Sequence, residues 1–460
     1  MDRTVPRPHP PSAVEAVHYR FLEVGPVPAQ APTPPIDAHH LLIFLLQVGL
    51  LLGSALILGR LAVRLKMPAI VGELCAGVIL GPSVLHHVSP QVAPWLFPAE
   101  TEQFHMLDAI GQVGVLLLVG ITGAHIDLGL VRKRGAAAAK ISGFGLVIPL
   151  GLGIGTGFLV PASMLGGGTD PLVFALFLGV AMCVSAIPVI AKTLMDMKLL
   201  HRNIGQLTLT AGMVDDAFGW FMLSVVSAMA TSGVRTGNVL LSLVYLLGVI
   251  AFALVIGRPL ISKLFRLANR SKDATPVVAT VTTLVILSAA GTHALGLEAI
   301  FGAFICGILI SEYGKPDPAR LAPLRTVVVS VFAPIFFATA GLRMDLTALT
   351  RLDVLGAAVL ILAVAIVGKF IGAYIGARTS RLSNWEALAL GAGMNARGII
   401  EVIVAMVGLR LGVLNTETYT IIILVAVVTS LMAPPILRIA MARVEQTEEE
   451  ELRRREHALT

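Results

Sequence analysis

The chain has 460 residues, of which 56% are hydrophobic and only 13% charged, with a formal net charge of +6. A soluble globular chain carries about 25% charged residues, so the composition excludes one and indicates a protein that crosses the membrane many times. Its apolar runs are about 20 residues long and do not alternate as ten-residue strands would, which selects helices over a barrel.

The basic residues lie mostly in short connections between these runs, so the net charge is read as topology and not as affinity for nucleic acid. Cys75, Cys183 and Cys306 sit inside apolar runs without metal-ligand spacing and are expected to be small buried hydrophobes.

Residues 1–39 are polar and contain nine prolines, which predicts a disordered tail. The first apolar run begins near Leu41, too late and too long for a signal peptide, and is read as the first span. Thirteen spans follow from the pattern: 41–60, 69–86, 107–126, 141–160, 172–194, 205–229, 239–260, 275–292, 297–312, 326–342, 353–376, 386–409 and 416–437. A tail from Glu445 to Thr460, acidic and then basic, is expected to be solvated.

Lysine and arginine set the orientation. Connections after odd-numbered spans are basic, as in Arg132, Lys133 and Arg134, or Arg258, Lys263, Arg266 and Arg270. Connections after even-numbered spans hold only Arg235, Arg343, Arg351 and Arg410. The N-terminus is therefore expected outside and the C-terminus in the cytoplasm. Two cations, Lys369 and Arg397, fall within spans.

The halves repeat. Cys75-Ala-Gly-Val-Ile-Leu-Gly81 in span 2 matches Ile305-Cys-Gly-Ile-Leu-Ile-Ser311 in span 9. Gly123-Ala-His-Ile-Asp127-Leu128 after span 3 matches Gly341-Leu-Arg-Met-Asp345-Leu346 after span 10. An offset of seven spans is odd, so the copies enter the membrane from opposite sides, which is the inverted repeat of secondary transporters. The repeat pairs span 5 with span 12. The first carries Ser185-Ala-Ile-Pro188 and the second Gly391-Ala-Gly-Met-Asn395-Ala-Arg397-Gly398, each near its middle. Proline removes a helix hydrogen bond and glycine weakens a helix, so both spans should break at similar depth. Paired breaks are the sequence mark of a transport site, because freed carbonyls can hold a cation.

Span 6 carries adjacent carboxylates, Asp215 and Asp216. An ionised aspartate at a span centre costs roughly 2.5–3.5 kcal/mol on insertion scales, and such residues mark ion paths or proton relays. The two point about 100° apart round a helix, so one can line a cavity while the other meets a neighbour. Lys369 in span 11 either snorkels to the interface or partners a buried aspartate. Arg397 and Glu401 share a helical face and read first as a structural ion pair. Glu73 and Glu298 are expected at interfaces, and Asp127 and Asp345 at helix ends. There is no phosphate-binding glycine loop, nucleotide fingerprint or histidine pair at metal spacing, so neither an enzyme nor a resident cofactor is expected.

Phe177 to Pro188, continuing through Lys192, Lys198 and Asp215-Asp216-Ala-Phe-Gly-Trp220, resembles the second branch of the monovalent cation:proton antiporter superfamily, which includes Kef-type potassium transport proteins and the plant cation/proton exchangers. Met394-Asn-Ala-Arg397-Gly-Ile-Ile-Glu401, Phe336-Phe-Ala-Thr-Ala-Gly-Leu342 and Lys369 fit the same family. The resemblance covers about 41–437. It implies the all-α sodium/proton antiporter fold, with spans 5 and 12 as crossed discontinuous helices, in the plasma membrane.

It further implies a homodimer in which a mobile core (107–229 and 326–437) works against dimerisation helices (41–86 and 239–312) within a membrane domain of residues 40–440, between an outer tail (1–39) and a cytoplasmic tail (441–460). By the family pattern Asp216 is the cation and proton carboxylate, Asp215 pairs with Lys369 in one state, and Ser185, Pro188 and Asn395 line the site. The sequence departs from the pattern in lacking the large regulatory domain of Kef-type and plant members, and in placing Arg397 beside the double aspartate. The implied activity is exchange of Na⁺ or K⁺ for protons. The alternatives are a channel-like cation pathway and an organic-anion symporter on the same repeat.

Overall fold

The computed structural model describes residues 36–451 apart from 66, 99–100, 125–127, 233–235 and 272. Most of the tail expected over 1–39, together with Asp127 and Arg453 to Arg455, lies outside the described residues. Phe44–Thr460 make up one unit and the residues before them another. The β pairing among the described residues is one isolated bridge between Leu165 and Leu414.

Among the described residues, eleven helices are long and apolar enough to cross a membrane, and one bent pair, Asn384–Met394 with Ile399–Arg410 at 42°, makes a twelfth. The expected ninth span, 297–312, falls on Ala299–Gly314, which is apolar but shorter. The first four spans are α1 (Ala38–Arg64), α2 (Ala69–Leu80), α3 (Thr101–Ala124) and α4 (Leu128–Gly157). The fifth is broken into α5 (Pro171–Cys183) and α6 (Ile187–Asp196), and the sixth is α7 (Asn203–Ser232). Span 7 is α8 (Thr236–Phe252) and α9 (Arg258–Ala268), joined through a π turn. Next come α10 (Thr275–Ala294) and α11 (Ala299–Leu309). Span 10 is α12 (Pro318–Val327) and α13 (Ala333–Leu342), again with a π turn between them. The last are α14 (Leu352–Thr379), the bent pair α15 (Asn384–Met394) and α16 (Ile399–Arg410), and α17 (Thr416–Met441).

Local chemistry starts the two broken spans. Asp170 caps α5 by accepting from the Leu172 N–H at 2.8 Å, and Pro171 follows at the first turn, where its missing N–H is no loss. Ser383 and Glu386 form a reciprocal capping box at the start of α15. Pro188 opens α6 after the break at Val184–Ala186. At the other break, α15 stops at Met394 and α16 starts at Ile399.

Glycines set the close crossings. A Cβ on Gly77 of α2 would lie 1.9 Å from the Ala338 carbonyl oxygen of α13, and one on Gly341 would lie 2.2 Å from the Leu74 carbonyl oxygen. A Cβ on Gly307 of α11 would lie 2.2 Å from the Gly120 carbonyl oxygen of α3, and one on Gly123 would lie 2.6 Å from that of Phe304. Gly77 matches Gly307 in the sequence repeat, and Gly341 matches Gly123. The α2–α13 crossing is thus the mate of the α11–α3 crossing, as an inverted repeat requires.

Two sets of helices result. α2, α3, α10, α11 and α13 pack on one another, while α4, α5, α7, α14, α15, α16 and α17 form the second set around the breaks. The sequence reading grouped spans 3 and 10 with the broken helices. Their glycine crossings instead seat them against spans 9 and 2. Within the second set, a Cβ on Gly372 of α14 would lie 2.4 Å from the Phe144 carbonyl oxygen of α4, so these two helices run in direct backbone contact. Cys183 and Cys306 are buried, but Cys75 is exposed, because it lies on the face of α2 turned away from the α13 crossing.

The C-terminal tail also departs from expectation. Glu450 is 2% exposed and not solvated. Its carboxylate accepts from the Arg202 Nε at 3.0 Å and from the Asn203 N–H, the first of α7, at 2.5 Å. Arg202 in turn donates to the Val444 and Glu445 carbonyls. The tail thereby caps α7, placing a carboxylate where the helix leaves N–H groups without partners.

Candidate ion-binding site

Asp215 and Asp216 sit near the middle of α7, and both are fully buried. Their side chains meet different surroundings. Asp215 Oδ2 forms an ion pair with Lys369 Nζ of α14. Its Oδ1 accepts from Ser142 Oγ of α4 at 2.5 Å. Ser185 Oγ, in the first break, lies 2.9 Å from Asp215 Oδ2 and 2.7 Å from the Met394 carbonyl oxygen, and its single proton can serve one of them at a time. Lys369 is 0% exposed, so it partners the aspartate and does not snorkel.

Two buried cations close the C-terminal end of α5. Lys369 Nζ donates to the Cys183 carbonyl at 2.6 Å. Arg397 donates to the carbonyls of Ala181 at 3.1 Å and Met182 at 2.6 Å. These carbonyls lost their helical partners at the break, and the negative end of the helix dipole falls there. Arg397 also donates to the Ala365 carbonyl of α14 at 2.9 Å and to Glu401 Oε1 at 2.5 Å. Its own carbonyl accepts from Ser430 Oγ of α17. The breaks touch directly, because the Ala186 N–H donates to the Ala396 carbonyl at 3.2 Å. Arg397 therefore ties α5, α14, α16 and α17 together, and its pair with Glu401 belongs to that scaffold.

Lys369 with Asp215, and Arg397 with Glu401, cancel as two ion pairs. Asp216 is the remaining charge. Neither of its oxygens has a hydrogen-bond partner of good geometry. Asn395 in the second break is 2% exposed, and its Oδ1 likewise has no partner. Pro188 acts by starting α6; its side chain makes no polar contact. An unpaired buried carboxylate costs several kcal/mol, and a proton or a small desolvated cation at Asp216 removes that cost.

Some of this geometry escaped sequence reading. Ser142 could have been noticed as a lone hydroxyl near the start of an apolar span. Asp108 also lies inside a span, and Arg343 binds it through both oxygens at 2.7 and 2.6 Å. Glu298 pairs with Arg410 at 2.8 Å. Asp345 caps the turn Leu346–Thr350 by accepting from the Thr347 N–H at 2.9 Å.

Residues 51–443 match the family described as sodium/hydrogen exchanger, transmembrane. The chain is 32% identical over 407 residues to the Na(+)/H(+) antiporter NhaS4 of Synechocystis, an alignment covering 87% of this chain and 98% of that one. It is 30% identical over 406 residues to the cation/H(+) antiporter 19 of Arabidopsis thaliana, covering 88% of this chain but 50% of the relative, so it spans about half the length of that plant protein. The K(+)/H(+) antiporter 1 of Saccharomyces cerevisiae is 28% identical over 384 residues, with 82% of this chain and 44% of the relative covered. Among solved structures, the sodium proton antiporter MjNhaP1 of Methanocaldococcus jannaschii superposes with a TM-score of 0.62 at 14% identity, covering 87% of this chain and 99% of that one, and so shares the fold. The chain is a multi-span membrane protein that belongs to the transmembrane sodium/hydrogen exchanger family.

Proposed function

We propose that this protein exchanges Na⁺ or K⁺ for protons by alternating access, with Asp216 as the shared binding carboxylate. The observation that carries the reading is the charge balance: four of the five buried charges at the breaks are paired, and Asp216 is not. One carboxylate that takes either a proton or a cation makes the exchange obligatory. An empty, charged Asp216 resists crossing the apolar barrier, which suppresses leak. The names of the relatives, Na⁺/H⁺, K⁺/H⁺ and cation/H⁺ antiporters, support the same reading.

The second helix set, braced by Arg397, is suited to move as a body past the first set and to present Asp216 to each side in turn. Asp215, Lys369, Ser142 and Ser185 shape that body and hold the α5 end in place. We assign the N-terminal side to the exterior from the excess of Lys and Arg on the other side, the site of action to the plasma membrane, and the working unit to a homodimer.

The test is dye dequenching in proteoliposomes with Na⁺, K⁺ and Li⁺ across pH. A cation pulse should release an imposed pH gradient in a saturable way. A current that flows with cations alone and moves no protons would favour a channel.

A further inference from the structure

Arg397 and Glu401 make only half of the bond their chemistry allows. An arginine and a carboxylate often meet through two parallel N–H···O bonds. Here one N–H reaches Glu401 Oε1 at 2.5 Å, while Arg397 Nε and Glu401 Oε2 are both buried without a hydrogen-bond partner. Glu401 is 1% exposed, so its second oxygen is not at a surface where bulk water completes it.

The two partners depend on each other unequally. Arg397 keeps the carbonyls of Ala181, Met182 and Ala365 whatever the state of Glu401. Two of these belong to the C-terminal end of α5, where the helix dipole itself favours a cation. Asp215 differs, because both of its oxygens are used and loss of its charge would leave Lys369 with the Cys183 carbonyl alone. Of the three carboxylates at the breaks, Asp216 and Glu401 are the two with an oxygen free to take a proton.

Charge decides how many protons they take. Two buried cations, Lys369 and Arg397, face three buried carboxylates, Asp215, Asp216 and Glu401, so one positive charge is missing. Arg397 and Lys369 close the consecutive carbonyls of 181–183, which links the five groups in one row from Glu401 to Asp216, in a setting that screens charge weakly. The elements packed on α16 are α5, α7, α13 and α17. α7 brings the two aspartates, and α5 adds the thiol of Cys183, which donates to the Val180 carbonyl at 3.3 Å. α13 has no titratable residue, and Glu417, Tyr419 and Arg438 of α17 lie at least two turns from Ser430, which bonds the Arg397 carbonyl.

We propose that the exchanged proton has a second binding position on Glu401 Oε2: while Asp216 is ionised and holds no cation, the proton rests on Glu401 and Arg397 supplies the balancing charge. The inference rests on the exchange reading and deepens it. A cation then enters an Asp216 that is already ionised. The O–H bond of Glu401 breaks, the proton passes to water, and the electron pair stays on the carboxylate. The row takes one added positive charge and not two, so proton and cation exclude each other even while they bind different residues.

The test is infrared difference spectroscopy of the whole chain in ester-free detergent micelles, at the pH of fastest exchange, before and after addition of Na⁺, K⁺ or Li⁺. The wild type should show a carboxylic-acid carbonyl band, identified by its shift in heavy water, that a transported cation removes. Glu401→Gln keeps an oxygen for Arg397 and should lack the band before any cation is added, whereas Glu401→Asp should retain one. In Asp216→Asn the charges balance without a proton, so the band should again be absent. A band that survives Glu401→Gln, that Asp216→Asn leaves in place, or that none of the three cations removes would overturn the proposal. A Glu401 band that answers to a cation, in a protein that accumulates no cation against its gradient, would leave the proton position standing and remove the exchange reading instead.

Discussion

Replacing Lys369 with alanine removes the ammonium from a site where neither it nor Asp215 is exposed to solvent. The loss has two parts, the ion pair and the donor at 2.6 Å that closes the Cys183 carbonyl. Breaking a buried pair from one side costs about 3–5 kcal/mol. Asp215 keeps Ser142 at 2.5 Å and Ser185 at 2.9 Å, which compensate its charge in part. The expected loss is therefore at the lower end, about 3 kcal/mol. Asp215→Asn should cost a similar amount, because it leaves the ammonium with a carbonyl alone. The double variant strands no charge and should cost about as much as either single one, giving a coupling of about 3 kcal/mol. Reversible unfolding in mixed micelles of the wild type, both single variants and the double variant measures it. If the two losses add to within about 0.5 kcal/mol, the pair does not hold the site together and the reasoning fails.

Arg397→Lys should unfold the break more than its conservative look suggests, by about 3 kcal/mol, since an ammonium cannot reach three carbonyls and a carboxylate in the guanidinium's plane; a melting temperature equal to that of the wild type would contradict this. Gly77→Ala and Gly307→Ala place a methyl 1.9 and 2.2 Å from carbonyl oxygens, and each should cost 1–3 kcal/mol or more in the same unfolding assay, by similar amounts if the repeat is structural as well as sequential. For Glu450, burial favours the neutral acid, but the Asn203 and Thr447 N–H groups and Arg202 outweigh it and hold the carboxyl below its ordinary value of 4.5. Its contribution is therefore complete above about pH 4.5 and is lost as pH falls through the lower folded value. Glu450→Gln should speed hydrogen exchange at Asn203 and Thr447 at neutral pH, and the difference from wild type should vanish in acid; equal rates at neutral pH would refute the cap.

The spans were legible because a bilayer demands about 20 apolar residues from each helix, and even Ala299–Gly314 announced itself by composition. The two breaks were legible through Pro188 and the glycines of 391–398. What lay hidden was lateral. Spacing along α7 puts Asp215 and Asp216 on different faces, but nothing in it says that Ser142, far away in sequence, meets Asp215. The carbonyls of Ala181 to Cys183, which Arg397 and Lys369 close, have no sequence signature, since every residue has a carbonyl. The helix grouping was misjudged because order along the chain says less about neighbours than the backbone approach at Gly77 and Gly307. Glu450 was read as solvated from its charged surroundings, while its actual partners are Arg202 and a helix end.

The central claim is that Asp216 carries the exchanged ion. Purified wild type and Asp216→Asn, reconstituted at equal density, should be given an acid-inside pH gradient, and uptake of radioactive sodium or rubidium followed against the cation gradient. The account predicts accumulation above equilibrium by the wild type and none by Asp216→Asn, with the variant still folded. Accumulation by Asp216→Asn at a rate near that of the wild type would contradict it.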